Sequence, residues 1–114
     1  MLVTKEFRFE AAHNLVHYKG KCERLHGHSY RLLVTVSGPV GKDGIVMDFE
    51  DLNRIVRERV ISRLDHTYLN DFIPQSSAEN IALWIWEQIK DLPPHEIRLY
   101  ETPTSFVTYR GEES

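Results

Sequence analysis

Three histidines near the start of the chain have the types and spacing of a metal site. His26 and His28 are separated by one glycine, so on a β-strand both side chains project from the same face. His13 ends an earlier alternating stretch, and an antiparallel neighbour would bring it beside the pair. Three imidazoles with one open position are typical of catalytic zinc. The spacing also fits a hydrogen-bonded core histidine and two partly exposed loop histidines.

The one cysteine of the chain, Cys22, lies four residues before His26. Its thiol could act as a nucleophile or base, or complete a closed structural zinc site as a fourth ligand, or be inert. Spacing alone does not separate these three interpretations. A lone cysteine excludes an internal disulfide and is consistent with a reducing compartment.

Alternation of apolar and polar residues predicts four strands that could position these side chains. Residues 2–13 and 26–37 alternate over most of their length, and the three histidines have the parity of the apolar positions. Near the end of the chain, Glu101 shares its parity with two apolar residues of a short strand, so its carboxylate is expected to face inward. A last strand is predicted over about residues 105–110.

Two helices are predicted between the two pairs of strands. The first runs from Asp48, its N-cap, to about Leu64, with apolar residues at helical spacing. The second runs from about Ser77 to Asp91, and Ser76 with Glu79 has the spacing of a capping box. The order ββααββ predicts an α+β fold with both helices on one face of an antiparallel sheet.

Length and composition narrow the functional class. The 114 residues predict one domain, 1–114, and a formal net charge of −3 argues against a dedicated nucleic-acid binder. No apolar stretch is long enough to span a bilayer, and the charged N-terminus lacks the apolar core of a signal peptide. We therefore expect a cytoplasmic protein with no membrane or nucleic-acid partner.

Residues 22–28 (CERLHGH) resemble the C-x3-H-G-H signature of the 6-carboxytetrahydropterin synthases. These enzymes are the branch of the 6-pyruvoyltetrahydropterin synthase family that serves queuosine-type 7-deazaguanine synthesis. The similarity extends along nearly the whole chain through further motifs: FRFEAAH (7–13), VMDFEDL (46–52), LDHTYLN (64–70), SAEN (77–80), ET (101–102) and YRGE (109–112).

The resemblance implies a tunnelling fold. In that fold a four-stranded antiparallel sheet carries two helices on one face. Subunits associate through their strand edges into a barrel, and the rings stack, commonly into a homohexamer. Such pairing also covers strand edges that would otherwise be exposed.

The resemblance also implies roles for the chemistry-bearing residues. His13, His26 and His28 match the zinc ligands of the family. Cys22 matches the catalytic cysteine that abstracts a proton from the substrate side chain. Asp65 and His66 match the proton-relay pair, although such a pair is also common at the end of a helix.

Other matches concern substrate binding. Glu101 matches the glutamate that anchors the pterin ring, with an ion pair to an arginine as the alternative. Ser77 borders the pterin pocket in the family, although helix capping explains a serine there equally well. Lys19, Lys21 and Arg24 could meet a triphosphate, although a charged loop cluster is usually only solvated.

The implied reaction converts 7,8-dihydroneopterin triphosphate to 6-carboxy-5,6,7,8-tetrahydropterin, with zinc as cofactor and with release of acetaldehyde and triphosphate. One alternative stops at 6-pyruvoyltetrahydropterin after triphosphate elimination. Another uses Glu23, which follows Cys22 directly, as the base of an aldolase-like reaction that gives a hydroxymethylpterin. A non-enzymatic alternative is a zinc-stabilised structural domain closed by Cys22.

Overall fold

A five-stranded sheet forms the centre of the computed structural model, which describes residues 1–113. The strand order is β3-β1-β2-β4-β5. The strands are β1 (Leu2–His13), β2 (His26–Ser37), β3 (Thr67–Tyr68), β4 (Pro94–Thr102) and β5 (Ser105–Tyr109). Three α-helical segments complete the fold: α1 (Phe49–Val56), α2 (Ser62–Leu64) and α3 (Ala78–Ile89).

The register between β1 and β2 follows from their apolar faces. The two strands pair antiparallel along their whole length, with Phe9 opposite Tyr30 and His13 opposite His26. A shift by one residue would turn every core side chain toward solvent. The predicted bounds of both strands are confirmed, and the register places the three histidines at one end of the apolar face.

The helices cover that apolar face and close the core. Alternate side chains of β1, β2 and β4 are buried against those of α1 and α3; the buried set includes Phe7, Phe9, Leu32, Val34, Leu52, Val56, Ile81, Ile85, Ile97 and Leu99. Because Ile97 and Leu99 are both buried, the inward parity predicted for Glu101 is confirmed.

The first predicted helix is one helical stretch in three parts. Asp48 caps α1 by accepting a hydrogen bond from the backbone N–H of Glu50 at 2.7 Å, as expected. Residues Arg57–Ile61 form a π-helical turn before α2. The π turn changes the local spacing but keeps Val60 and Ile61 in the core.

Two details of the predicted fold are wrong. The sheet has five strands, because the two-residue β3 pairs parallel with Ala11 and Ala12 of β1. The cap of α3 is Ser77, whose side chain accepts from the N–H of Asn80; Ser76 lies outside the helix. The α+β arrangement itself is confirmed. Within residues 1–113, no helix has both the length and the apolar character needed to cross a membrane.

Candidate active site

The three histidines meet at the end of the core where β1 finishes and β2 begins. Their ring centroids are separated by 4.7 Å (His13 to His26), 4.9 Å (His26 to His28) and 5.0 Å (His13 to His28). The pairing of His13 with His26 produces this arrangement, and the i, i+2 spacing of His28 places it on the same face. We call these three residues the histidine cluster.

Two main-chain carbonyl groups orient two of the three rings of the cluster. Nδ1 of His13 lies 2.7 Å from the carbonyl oxygen of Ser76, and Nδ1 of His26 lies 2.8 Å from that of Arg24. A carbonyl oxygen only accepts, so each Nδ1 carries the hydrogen and each Nε2 is left with a lone pair. In metal-binding histidines, the ring nitrogen that does not bind the metal commonly donates its N–H to a carbonyl oxygen in this way.

Glu101 completes a group of potential metal ligands. Its Oε1 lies 3.0 Å from Nε2 of His28 and 3.2 Å from Nε2 of His13. Neither buried Nε2 has a hydrogen-bond partner in the described chain. Because Nδ1 of His13 donates to a carbonyl, the contact of its Nε2 brings a lone pair toward the carboxylate. A cation between them would relieve that repulsion.

The group fits a divalent cation. One ligand atom from each histidine and one carboxylate oxygen of Glu101 lie within 4.8 Å of one another. Burial lowers the pKa of His28, an effect that the charge of Glu101 opposes. A lowered pKa favours neutral imidazole, which is the form that binds metals. Three nitrogens and one oxygen are a suitable set for zinc.

A polar segment before α3 supports the cluster. Ser76 is completely buried, and its hydroxyl donates to Oδ1 of Asn70 at 2.6 Å. Asn70 in turn binds Asn14, the residue after His13, through a hydrogen bond in each direction. Ser76, whose carbonyl orients His13, is therefore held through its hydroxyl by a residue that also binds the end of β1.

A cleft of about 510 Å³ opens beside the cluster, lined by His28 and Glu101 together with Tyr100 and Thr102 of β4. The guanidinium of Arg31 stacks on the ring of Tyr100, 4.0 Å from its centroid. A small molecule in this cleft would contact the exposed side of the metal group.

Asp65 and His66 contact each other through their side chains beside a second groove. Nδ1 of His66 lies 2.9 Å from Oδ2 of Asp65, whose Oδ1 accepts the N–H of Glu10 at 2.9 Å. The hydrogen bond from Glu10, assisted by His66, lowers the pKa of Asp65. His66 is exposed and lines this groove with His28. The two predicted relay residues are thus paired with each other but lie outside the metal group.

Cys22 lies in the loop of residues 14–25, which we call the Cys22 loop. A two-residue turn at its tip has positive φ at Lys19 and Gly20, 52° and 80°, as in the turns that close β-hairpins. Cys22 is exposed, and its thiol is not part of the metal group found in the described residues. The loop basic residues Lys19, Lys21 and Arg24 are exposed, and none lines either cleft beside His28.

Sequence reasoning missed three parts of the site. The orienting carbonyls of Ser76 and Arg24 are backbone atoms, which no residue type reveals. The contact of Glu101 with the cluster was also not foreseen, although its inward parity was a usable signal. Ser77, predicted at the pocket, caps α3 through its hydroxyl.

Comparisons with known proteins show to which family this chain belongs. The family described as 6-pyruvoyl tetrahydropterin synthase matches residues 2–112. A 6-carboxy-5,6,7,8-tetrahydropterin synthase of Synechocystis is 42% identical over 95% of this chain and 92% of its own. One of Haemophilus influenzae is 36% identical over 95% and 97%.

Other relatives carry a different name. A 6-pyruvoyl tetrahydrobiopterin synthase of Dictyostelium discoideum is 33% identical over 98% of this chain and 97% of its own. The solved 6-pyruvoyl tetrahydropterin synthase of Caenorhabditis elegans superposes with a TM-score of 0.85 at 24% identity, covering 98% and 96% of the two chains. The superposition shows a shared fold, and the family match covers nearly the whole chain. This chain therefore belongs to the 6-pyruvoyl tetrahydropterin synthase family.

Proposed function

We propose that this protein is a zinc enzyme that converts 7,8-dihydroneopterin triphosphate and water to 6-carboxy-5,6,7,8-tetrahydropterin, acetaldehyde and triphosphate. The observation that carries the proposal is the convergence of three histidines and Glu101 at the edge of a cleft. The relatives named 6-carboxy-5,6,7,8-tetrahydropterin synthase, at 36% and 42% identity, support the choice of product.

The histidine cluster holds the metal in this proposal. Nε2 is the ligand atom of His13 and His26, because the carbonyls of Ser76 and Arg24 occupy Nδ1 of these two rings. In His28 the ligand atom is also Nε2, which is buried and lies beside Glu101. Zn²⁺ bound there supplies Lewis-acid polarisation of the side-chain oxygens of the substrate, which makes the adjacent C–H more acidic.

Glu101 anchors the pterin ring. Its carboxylate borders both the cluster and the cleft, so a substrate held by it would present its side chain toward the metal. A carboxylate has only acceptor sites, which match the parallel N–H groups of a pterin. Ser77 at the start of α3 is a weaker candidate for the same pocket.

Cys22 is the base that removes the side-chain proton, and His66 with Asp65 relays protons. Because Asp65 accepts from Nδ1 of His66, Nε2 of His66 is the nitrogen that can exchange a proton with a ligand in the groove. We also propose that this cytoplasmic enzyme is a homohexamer. Cys22 acts either on a substrate bound to its own chain or at a site shared between neighbouring subunits.

The runner-up product is 6-pyruvoyltetrahydropterin. The relative from Dictyostelium with the pyruvoyl name, 33% identical over nearly its whole length, is the observation that favours it. A closed structural zinc site has less support, because the thiol of Cys22 lies outside the group formed by the cluster and Glu101.

The Cys22→Ala variant tests the proposed base. Product formation should fall by a factor of about 10² to 10⁴, the usual cost of losing a general base, while zinc content and thermal unfolding stay as in wild type. Product is measured by mass spectrometry and zinc by atomic absorption.

Two outcomes would count against this assignment. Loss of zinc from Cys22→Ala would make the thiol a structural ligand. Wild-type turnover in the variant would remove Cys22 from the reaction. Cys22→Ser serves as a second variant, because serine is similar in size to cysteine but its hydroxyl is a much weaker acid than the thiol.

A further inference from the structure

The Cys22 loop folds back on itself as a short hairpin, with an outgoing arm (residues 14–18) and a returning arm (residues 21–25). Next to its turn, Tyr18 and Lys21 exchange two backbone hydrogen bonds, of 2.7 and 3.1 Å. This is the pattern of a hydrogen-bonded pair in antiparallel strands. The two arms are therefore joined next to the turn.

A second pair joins the arms on the other side of Cys22. The N–H of Glu23 donates to the carbonyl of Leu15 at 2.9 Å, and the N–H of Leu15 donates to a carboxylate oxygen of Glu23 at 3.0 Å. Cys22 lies between Lys21 and Glu23 on the returning arm, opposite the stretch that contains Val16. A group that holds Val16 therefore also limits where the thiol of Cys22 can lie.

The returning arm reaches the histidine cluster. The carbonyl of Arg24 accepts from Nδ1 of His26 at 2.8 Å. Burial lowers the pKa of His28, and the negative charge of Glu23 is one of those that oppose this effect. The two residues that follow Cys22 thus lie beside the cluster, so a shift of the hairpin changes the distance from the thiol to the metal ligands.

Gln75 holds the outgoing arm from the side opposite to the returning arm. Its side-chain Oε1 accepts from the N–H of Val16 at 2.7 Å, and its Nε2 donates to the carbonyl of Val16 at 3.0 Å. A residue of a neighbouring strand would exchange the same two bonds with Val16. Residues 14–16 are half-buried and residues 17–20 are exposed, so this clamp acts at the last half-buried position before the turn.

The backbone of Gln75 is itself fixed next to the metal site. Its carbonyl accepts from the side-chain amide of Asn80, in the first turn of α3, at 2.9 Å. The next residue is Ser76, whose carbonyl orients His13. One short segment before α3 therefore holds a metal ligand through Ser76 and the hairpin of Cys22 through Gln75.

We propose that Gln75 is a positioning residue, whose side-chain amide sets the place of Cys22 relative to the histidine cluster. The proposal deepens the function proposed above and rests on the role of Cys22 in it. Gln75 lines neither of the two clefts beside His28, so it acts through the hairpin and not by contact with a ligand there.

Two substitutions at position 75 test the clamp. Gln75→Ala removes both hydrogen bonds to Val16, and we expect a loss of about 10- to 100-fold in kcat through misplacement of the thiol. KM should stay within about twofold of wild type, because no group that binds substrate is removed. Gln75→Glu keeps an acceptor for the N–H of Val16 but has no donor for its carbonyl. We expect its kcat to lie between those of wild type and Gln75→Ala, and it serves as the test if Gln75→Ala does not fold.

Gln88 on α3 provides the matched control. Its side-chain amide also makes two hydrogen bonds, to Arg63 and to the carbonyl of Trp84, so Gln88→Ala loses as many bonds without touching the hairpin. This variant should keep the kcat of wild type. Zinc content is measured on every variant and should stay unchanged. Wild-type kcat in Gln75→Ala, loss of its zinc, or an equal fall in kcat in Gln88→Ala would each overturn the proposal.

Hydrogen exchange tests the clamp without any assay of activity. The amide of Val16 should exchange faster in Gln75→Ala than in wild type and should keep most of its protection in Gln75→Glu. Unchanged protection of Val16 in Gln75→Ala would contradict the clamp itself. If the wild-type protein forms no pterin product, the proposed function fails, yet this exchange measurement still decides whether Gln75 holds the hairpin.

Discussion

Two backbone carbonyl groups determine which nitrogen atom is available to a ligand in two of the three rings of the histidine cluster. Because the carbonyls of Ser76 and Arg24 accept from Nδ1 of His13 and His26, Nε2 is the nitrogen that each of these two rings leaves for a ligand. Burial lowers the pKa of His28 as well, which favours the neutral ligand form. The cluster is therefore preorganised as a set of nitrogen donors.

His28→Ala should remove zinc and activity together. Only three protein nitrogens are available, and the loss of one leaves an incomplete site. We expect zinc content after dialysis to fall far below one ion per chain, as measured by atomic absorption. His95→Ala is the control, because His95 is exposed on β4 and lies outside the metal group. Full zinc occupancy and normal turnover in His28→Ala would exclude His28 as a ligand.

Glu101→Gln should weaken pterin binding and leave zinc bound. The amide replaces one acceptor oxygen by a donor group, which mismatches the N–H groups of the pterin. Calorimetric titration with a pterin gives the affinity, and Glu96→Gln on the same strand is the control. Loss of zinc in Glu101→Gln would instead make Glu101 a fourth metal ligand, which its contacts of 3.0 and 3.2 Å with His28 and His13 would permit.

At the scale of single elements, α3 carries Ser77 at its cap and the Ser76 carbonyl just before it. Ser77→Ala should lower the free energy of unfolding by about 1 kcal/mol, since the N–H of Asn80 loses its acceptor. Chemical denaturation measures this difference.

Ser77→Asn distinguishes capping from substrate binding. Asparagine caps helices as well as serine does, so stability should recover. If Ser77 also borders the pterin pocket, Ser77→Asn should still raise KM. A stable variant with wild-type KM would remove Ser77 from the proposed site and leave it as a cap only.

The long elements of the fold could be predicted from the sequence because their periodicity is strong. β1 and β2 alternate over most of their length, and this parity places the three histidines on the core face, as the parity of β4 does for Glu101. β3 has only two residues, too few for any period. Ser76 has the spacing of a capping residue, but its buried hydroxyl donates to Oδ1 of Asn70 and does not cap α3.

At the scale of the whole molecule, the cluster lies at one end of the sheet, where β1 finishes and β2 begins. The position of Cys22 relative to the cluster depends on the Cys22 loop and its contacts with residues 14 and 15, which spacing along the chain does not encode. Strand β5 is one edge of the sheet, and β3 covers only a short part of the edge of β1. The homohexamer, in which such edges would pair, stays a prediction.

Product identification with the wild-type enzyme tests the central claim most directly. Zinc-loaded protein is incubated with 7,8-dihydroneopterin triphosphate, and the products are identified by mass spectrometry. We expect 6-carboxy-5,6,7,8-tetrahydropterin, with acetaldehyde and triphosphate released in equal amounts. A 6-pyruvoyl or hydroxymethyl product, or unchanged substrate, would contradict the proposed reaction.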